Sequence, residues 1–399
     1  MTTPTPWQRT ARGAGLLDAT GRLAPTVFAE MSALAATTGS INLGQGFPDE
    51  DPPEAVLEAA RAALFGGLNQ YPPGRGMPTL LEAVSEHQKR FYGIEVDPER
   101  EVLVTAGATE AIAATVLALV DHGDEVVTLE PFYDAYGAVI GLAGGRHRTV
   151  PLRGPDFRVD ADELRAAFSS RTRLVIVNDP HNPTGTLLDE ATRESLVALA
   201  HEFDAILVTD EVYEHVVFDG VPHVPLSTLP GASDRTITVS SGGKTFNATG
   251  WKIGWLSGPA ALVAQIMSVK QYLTFVNGSV FQPAIAAGLR LPREHFDRFT
   301  ADLQGKRDRL SAGLASAGFD VSDSRGSYFV VADAAPLGYA DAAVFCRALP
   351  ELAGVVGVPV SAFCGPTLGT EYSSLVRFAF CKRAEVIDEA GRRLAALRV

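Results

Sequence analysis

The stretch TITVSSGGKTFNATGWKIGW, Thr236 to Trp255, decides how this chain is read. A run of β-branched residues leads into Ser-Gly-Gly-Lys-Thr, which has the ending of a phosphate-binding P-loop. Lys244 therefore either holds a nucleotide's phosphates or forms a covalent bond. A P-loop needs a glycine five positions before its second glycine, for the sharp turn that wraps backbone amides around phosphate. That position is Thr238, so the loop is incomplete.

The covalent reading needs more groups, and they are present. A lysine that forms a Schiff base with an aldehyde cofactor must lose its proton part of the time, which asks for desolvation and a cationic neighbour. Lys252, eight residues on, supplies one such charge. With pyridoxal phosphate (PLP) as that aldehyde, a carboxylate must keep the pyridine nitrogen protonated, because the protonated ring is the electron sink. Asp210 closes the run AILVTD, so its carboxylate would project at the carboxyl end of a buried strand, where an unpaired acid is costly. Tyr213, three residues later, and Asn182 in NDPHNPTG, placed at the end of another strand, offer donors to the cofactor's phenolic oxygen. VTAGATEA sets Gly107, Ala108 and Thr109 at a strand-to-helix turn, where free amides and the helix dipole receive a phosphate. Ser241 and Lys252 would complete that cradle.

Composition narrows the setting. At 399 residues the chain exceeds what one core usually holds, so a large and a small domain are expected. A net charge of −13 argues against a nucleic-acid footprint. The three cysteines, Cys346, Cys364 and Cys381, lack CxxC spacing and read as reduced core residues of a cytoplasmic protein. The eight histidines show neither HExxH nor clustered ligand spacing, so no metal site is expected. The start carries arginines without an apolar core and reads as a flexible arm. AIAATVLALV, Ala111 to Val120, is too short to span a bilayer and suits a buried helix, so no membrane partner is expected.

Along the chain, EVLVTAG, DEVVTLE, RLVIVND, AILVTDEVY, TITVS and KIGWLSG read as strands separated by helical crossovers. Near-continuous apolar strands spaced this way predict a mostly parallel sheet covered on both faces, with ligands beyond the strands' carboxyl ends. From about Leu291 the texture changes. A charged helix precedes the strand-like SYFVVAD and LVRFAFC, and a terminal helix carries Val386, Ile387, Ala390, Leu394 and Leu397 on one face, an α+β piece.

INLGQGFPDEDPP, NQYPPGRG, LVTAGATEAI, EPFYDAY, PHNPTG, TDEVYEH, SGGKTFNATGWKIGW and LVRFAFCKR follow one another in the order of one family's blocks. The chain resembles the fold type I PLP-dependent aminotransferases of class I/II, in the branch of the kynurenine and glutamine aminotransferases and the actinobacterial N-succinyldiaminopimelate aminotransferases. The resemblance covers nearly the whole chain from about Thr26. It implies an α/β large domain with a mostly parallel seven-stranded sheet over residues 55–288 and an α+β small domain over 289–399. Residues 1–54 would form an N-terminal arm and part of the small domain. It also implies a homodimer with composite sites. Carried over by position, Lys244 becomes the Schiff-base lysine, Asp210 the pyridinium partner, and Asn182 and Tyr213 the partners of the phenolic oxygen. Phe132 would stack on the pyridine ring, and Ala108, Ser241 and Lys252 would bind phosphate. Tyr71 would reach the neighbouring subunit's phosphate. Arg377 would hold the substrate's α-carboxylate, with Gly46 adding a backbone contact; Phe28 and Phe275 are further substrate candidates.

Simpler readings stand beside these. Alone, Lys244 is an ordinary loop lysine, Asp210 a helix N-cap, and HNPTG plain turn chemistry. Val376, Phe378 and Phe380 alternate with Arg377, which leaves it on the opposite strand face as a solvent-facing or ion-paired arginine. Phe28, Tyr71, Phe132 and Phe275 also read as core aromatics. The resemblance implies ping-pong transfer of an amino group between an L-amino acid and a 2-oxo acid, with N-succinyldiaminopimelate as leading substrate. Kynurenine, glutamine or methionine transamination and β-elimination from cysteine conjugates are the alternatives. A non-enzymatic PLP-fold regulator is disfavoured by the acidic balance.

Overall fold

The computed structural model describes residues 4–18, 20–365 and 370–397. Its main sheet has eight strands: β1 (Val102–Thr105), β2 (Glu125–Glu130), β3 (Arg146–Arg153), β4 (Arg158–Val159), β5 (Thr172–Asn178), β6 (Ile206–Asp210), β7 (Thr236–Ser241) and β8 (Gly254–Ser257). Their spatial order is β1-β8-β7-β6-β5-β2-β3-β4. β7, β6, β5, β2 and β3 run parallel, and β8 is antiparallel to both neighbours. Seven strands were expected; the eighth is the two-residue β4, folded back on β3. β3 is not among the strands that apolar runs predict. RHRTVPLR alternates exposed and covered positions, as a strand near the sheet edge does, instead of burying every residue.

Every residue of β1, β2, β6, β7 and β8 is buried, which is why those segments read as continuous apolar runs. Strand register then gathers polar residues at one edge. Asn178 pairs with Asp210 and Asp210 with Val239, while Ser241 and Thr105 both pair with Gly254. The chain leaves β1 into helix α1 (Gly107–Leu119), whose apolar face packs on the sheet. Asn182 lies in the loop beyond β5, which ends at Asn178, and not on the strand end itself.

The second sheet holds β9 (Asp320–Val321), β10 (Phe329–Asp333), β11 (Val358–Pro359) and β12 (Leu375–Ala379), antiparallel in the order β9-β10-β12-β11. Helix α2 (Arg293–Ser316) and the terminal helix α3 (Ala384–Leu394) pack together against it, and Ile387, Ala390 and Leu394 are fully buried. Ile41–Asn42 from the start of the chain pairs in parallel with Val355–Val356, so early sequence completes this late unit. Among the described residues, no helix is long and apolar enough to cross a membrane.

Candidate active site

Nine of the residues singled out in the sequence line one cavity of about 270 Å³ beyond the strand ends: Gly107, Ala108, Thr109, Asn182, Asp210, Tyr213, Ser241, Lys244 and Lys252. A larger cleft of about 420 Å³, bordered by Asp179, Arg193, His223 and Arg325, has no lysine in its lining. The smaller cavity is the one where a potential nucleophile, an acid and helix amides converge, and that convergence outweighs size.

Lys244 sits in a four-residue helical turn capped by Ser241, whose hydroxyl accepts from the Gly243 amide at 3.2 Å and donates to the Ile253 carbonyl at 3.3 Å. The lysine ammonium donates to Tyr328 Oη at 2.8 Å. The Tyr328 hydroxyl in turn donates to the Gly46 carbonyl at 2.6 Å. A Cβ at Gly46 would stand 2.5 Å from the Phe329 ring, so the backbone comes this close only as glycine. Burial drives the Lys244 pKa down from its ordinary value to about 8; Cys381 and Asp210 oppose the shift, and Arg377 and Lys252 add to it. The expected cationic neighbour is present, but desolvation does most of the work.

Asp210 ends β6 and is 5% exposed. Its Oδ2 accepts from the Tyr136 hydroxyl at 2.6 Å, while Oδ1 is buried without a hydrogen-bond partner among the described residues. Burial raises its pKa to about 6, partly offset by Tyr136. A buried carboxylate oxygen left unpaired costs free energy, on the order of 1–3 kcal/mol or more, unless a group delivered from the cavity satisfies it. A protonated pyridine nitrogen is such a group. The phosphate end fits as well. Gly107 has φ +73° and a Cβ there would lie 3.0 Å from Lys252 Nζ, so the missing side chain lets the lysine approach the start of α1. A helix start with a cation beside it is an anion site. The donor set fits PLP at both ends.

Around this cavity the small-domain residues arrange differently. Arg377 is 3% exposed, which overturns the solvent-facing alternative. Its Nη1 donates to Asn182 Oδ1 at 2.9 Å and Nη2 to the Gly44 carbonyl at 2.6 Å, while Nε is buried and has no partner among the described residues. The guanidinium carbon lies 4.0 Å from the Phe329 ring centre, 4.5 Å from Phe363 and 5.7 Å from Phe28. Aromatic faces thus substitute for a carboxylate. Burial lowers its pKa to about 10. Phe28, Gly46 and Arg377 do not line the 270 Å³ cavity; with Asp134, Phe28 borders a separate one of about 230 Å³.

Phe132 does not take its expected place in this cavity, Tyr71 and Phe275 do not line this chain's own cavity, and the histidines differ from the spacing reading. Phe132 is buried in the core edge-on to His147, and its neighbour Tyr133 takes the place in the cavity lining. Consecutive residues leave β2 on opposite sides, so the choice between two adjacent aromatics rests on backbone direction. Tyr71, 82% exposed, and Phe275, 50% exposed, are absent from the lining and stack on each other edge to face at 5.6 Å. The histidines, read as unclustered, do converge: His87, Glu214 and His215 place ligand-type atoms within 4.8 Å of one another in the core. Residues the sequence reading missed are Tyr133, Tyr136, Asn178 and Tyr328. Asn178 ends its strand as Asp210 does, a usable signal; its amide donates to the Asp210 carbonyl and its oxygen holds the Asn182 amide, both at 2.7 Å. Tyr328 carries no local signal, since it meets Lys244 across 84 residues.

The family model for aminotransferase class I and II matches residues 38–394. The chain is 52% identical over 382 residues to "Probable N-succinyldiaminopimelate aminotransferase DapC" of Mycobacterium tuberculosis, covering 94% of this chain and 96% of that one. It is 38% identical over 376 residues to the methionine aminotransferase of Escherichia coli, covering 94% and 97%. The solved N-succinyldiaminopimelate aminotransferase of M. tuberculosis superposes with a TM-score of 0.93 at 49% identity over 100% of both chains. The fold, the lysine–aspartate cavity and these similarities together place the chain in the class I and II aminotransferases, as a PLP-dependent enzyme of fold type I.

Proposed function

We propose that this enzyme moves an amino group between N-succinyl-LL-2,6-diaminopimelate and 2-oxoglutarate, with glutamate as the amino donor in the reverse sense. The observation that carries the chemistry is the unpartnered, buried Oδ1 of Asp210 on the wall that Lys244 shares. The choice of substrate is supported by similarity over 94% of the chain to the mycobacterial protein of that description.

Bound in the cavity, PLP supplies an electron sink that lets the Cα proton of an amino acid be removed. The chain's residues do the rest. Asp210 would hold the protonated ring nitrogen, and Asn182 and Tyr213 the phenolic oxygen. Tyr133 would cover the ring face, the role expected of Phe132. Gly107, Ala108, Thr109, Ser241 and Lys252 would receive the phosphate. Lys244, poised near pH 8 by burial, would take the proton from Cα. Arg377 would grip the α-carboxylate. Its rigid placement between Phe329 and Phe363 fixes the direction in which Cα–H points.

The reading includes a homodimer in which Tyr71 reaches the neighbouring phosphate. Phe65, Tyr71 and Tyr272, each more than 80% exposed, are large aromatic side chains of the kind that association would cover. The large domain over residues 55–288, the small domain over 289–399, and a cytoplasmic setting with three free cysteines belong to the same reading.

A second reading, broad transamination of methionine, glutamine or kynurenine, draws support from the phenylalanines around Arg377 and from the E. coli relative. Steady-state kinetics with each amino acid and 2-oxoglutarate decide. The proposal expects kcat/KM for the succinylated substrate to equal or exceed that for the others. Turnover of aspartate alone would overturn both readings. Pyruvate release from cysteine conjugates without an oxo acid would show β-elimination.

A further inference from the structure

Outside the cavity, the chain buries Lys270, whose ammonium, among the described residues, hydrogen-bonds main-chain carbonyls alone. Lys270 is 1% exposed, and its Nζ donates to the Phe275 carbonyl at 2.7 Å and the Gly74 carbonyl at 3.2 Å. Burying an ammonium without a hydrogen-bonded carboxylate is costly, so what it holds is worth asking. Gly74 lies three residues after Tyr71, and Phe275 is Tyr71's stacking partner. One ammonium therefore ties together the two segments that carry this exposed aromatic pair.

The segment is held at other points too. Phe275 has φ +63°, a left-handed conformation that a non-glycine residue keeps only when its surroundings enforce it. Thr274 donates to Glu110 Oε1 at 2.6 Å, and Glu110 Oε2 accepts the Ala106 amide at the entrance of α1 at 2.6 Å. Asn277 donates to the Lys252 carbonyl at 2.9 Å and the Thr105 carbonyl at 3.2 Å. The aromatic pair is thus tied to the phosphate end of its own cavity without lining it.

We propose that Lys270 is a positioning residue, fixing the Tyr71–Phe275 pair so that Phe275 contacts the side chain of substrate bound in a second copy of the chain. This rests on the composite-site reading above, in which Tyr71 crosses to the neighbouring subunit; Phe275, stacked on it, crosses with it.

Heterodimers of differently tagged subunits test this. In a Lys270→Met homodimer, KM for the succinylated diaminopimelate should rise at least fivefold while kcat stays within twofold and PLP is retained. Pairing a Lys270→Met subunit with a Lys244→Ala subunit leaves one working lysine, served by a partner whose Lys270 is intact, so KM should return to the wild-type value. Pairing wild type with a doubly substituted Lys244→Ala, Lys270→Met subunit should keep KM high. A merely structural role would not move KM in trans. KM that follows Lys270 of the catalysing subunit, or that is unchanged in every arrangement, overturns the proposal while leaving the dimer intact. Failure of differently tagged wild-type copies to copurify overturns the composite-site reading itself. If Lys270→Met does not fold, Lys270→Gln, which keeps an N–H donor, carries the same readouts.

Discussion

Six consecutive residues, Asp210 to His215, feed two different polar clusters. Asp210 and Tyr213 face the 270 Å³ cavity. Glu211, Glu214 and His215 turn the other way into the core, where Glu214 accepts from Ser240 at 2.6 Å, His215 meets His87 at 2.7 Å, and Glu211 pairs with His223 at 2.9 Å. Both clusters contain a carboxyl group pushed up by burial, Asp210 to about 6 and Glu214 to about 7. Both leave one carboxylate oxygen without a partner. Perturbed acidity therefore does not tell the two apart. The difference is what surrounds each raised carboxyl: Asp210 lines a volume that also holds a lysine, whereas Glu214 meets His87 and His215, packed between Phe91 and Phe296, and only Glu211 reaches a cleft, through His223.

The largest effect separates the sides outright. Lys244→Ala should lower transamination by about 10⁴-fold or more, the scale of a lost proton-transfer group that is also the point of attachment. Oxo-acid production measured with purified variant is the check, and a loss below a hundredfold would take the base role away from Lys244.

Next, paired substitutions set the clusters against each other. Asp210→Asn should weaken PLP retention by about 10²–10⁴-fold, because removing one member of a buried ion pair costs about 3–5 kcal/mol at 1.4 kcal/mol per factor of ten. Glu214→Gln should leave retention and turnover within about threefold. Cofactor absorbance after gel filtration reads both. Equal losses in the two variants would erase the distinction.

Arg377→Lys probes the guanidinium that bonds Asn182 of the cavity lining. Lysine cannot reproduce the planar fork that spans Asn182 and the Gly44 carbonyl. A loss of about 2–5 kcal/mol, roughly 30- to 4,000-fold in kcat/KM, should fall on every amino acid alike. A loss confined to one substrate would move Arg377 from α-carboxylate to side-chain recognition.

The smallest effect belongs to the core cluster and is one of stability. Folded Glu214 keeps its proton up to about pH 7, above the ordinary value of 4.5. Between those values the folded chain binds more protons than the unfolded one, so this group's contribution to stability falls as pH rises. The Tm of wild type minus that of Glu214→Gln should therefore decrease from pH 5 to 8. A flat or rising difference would mean that Glu214 ionises normally in the fold.

Much of the site was legible because its key residues sit where a local pattern ends. Asp210 follows a buried run, Gly107 follows another, and Lys244 follows a third, so strand ends could be read without knowing their neighbours. The same logic passed over β3, whose alternating polar residues hide an internal strand, and Asn178, whose strand-end position resembles that of Asp210. Phe132 and Tyr133 occupy the same turn, and only the direction of the backbone decides which of the two adjacent rings faces the cavity.

What the sequence determined by itself is the buried strands of the main sheet and the lysine, acid and glycine turn that gather beyond their carboxyl ends, since each depends on residues close together in the chain. Only the tertiary structure decided that Tyr328 meets Lys244 from 84 residues away. It also decided that Arg377 lies buried among aromatic rings, that His87 faces His215 across 128 residues, and that Lys270 joins Gly74 to Phe275. Those contacts are made between segments that have no local reason to meet, and chain packing alone brings them into range and removes the water that would otherwise compete for every one of these polar groups.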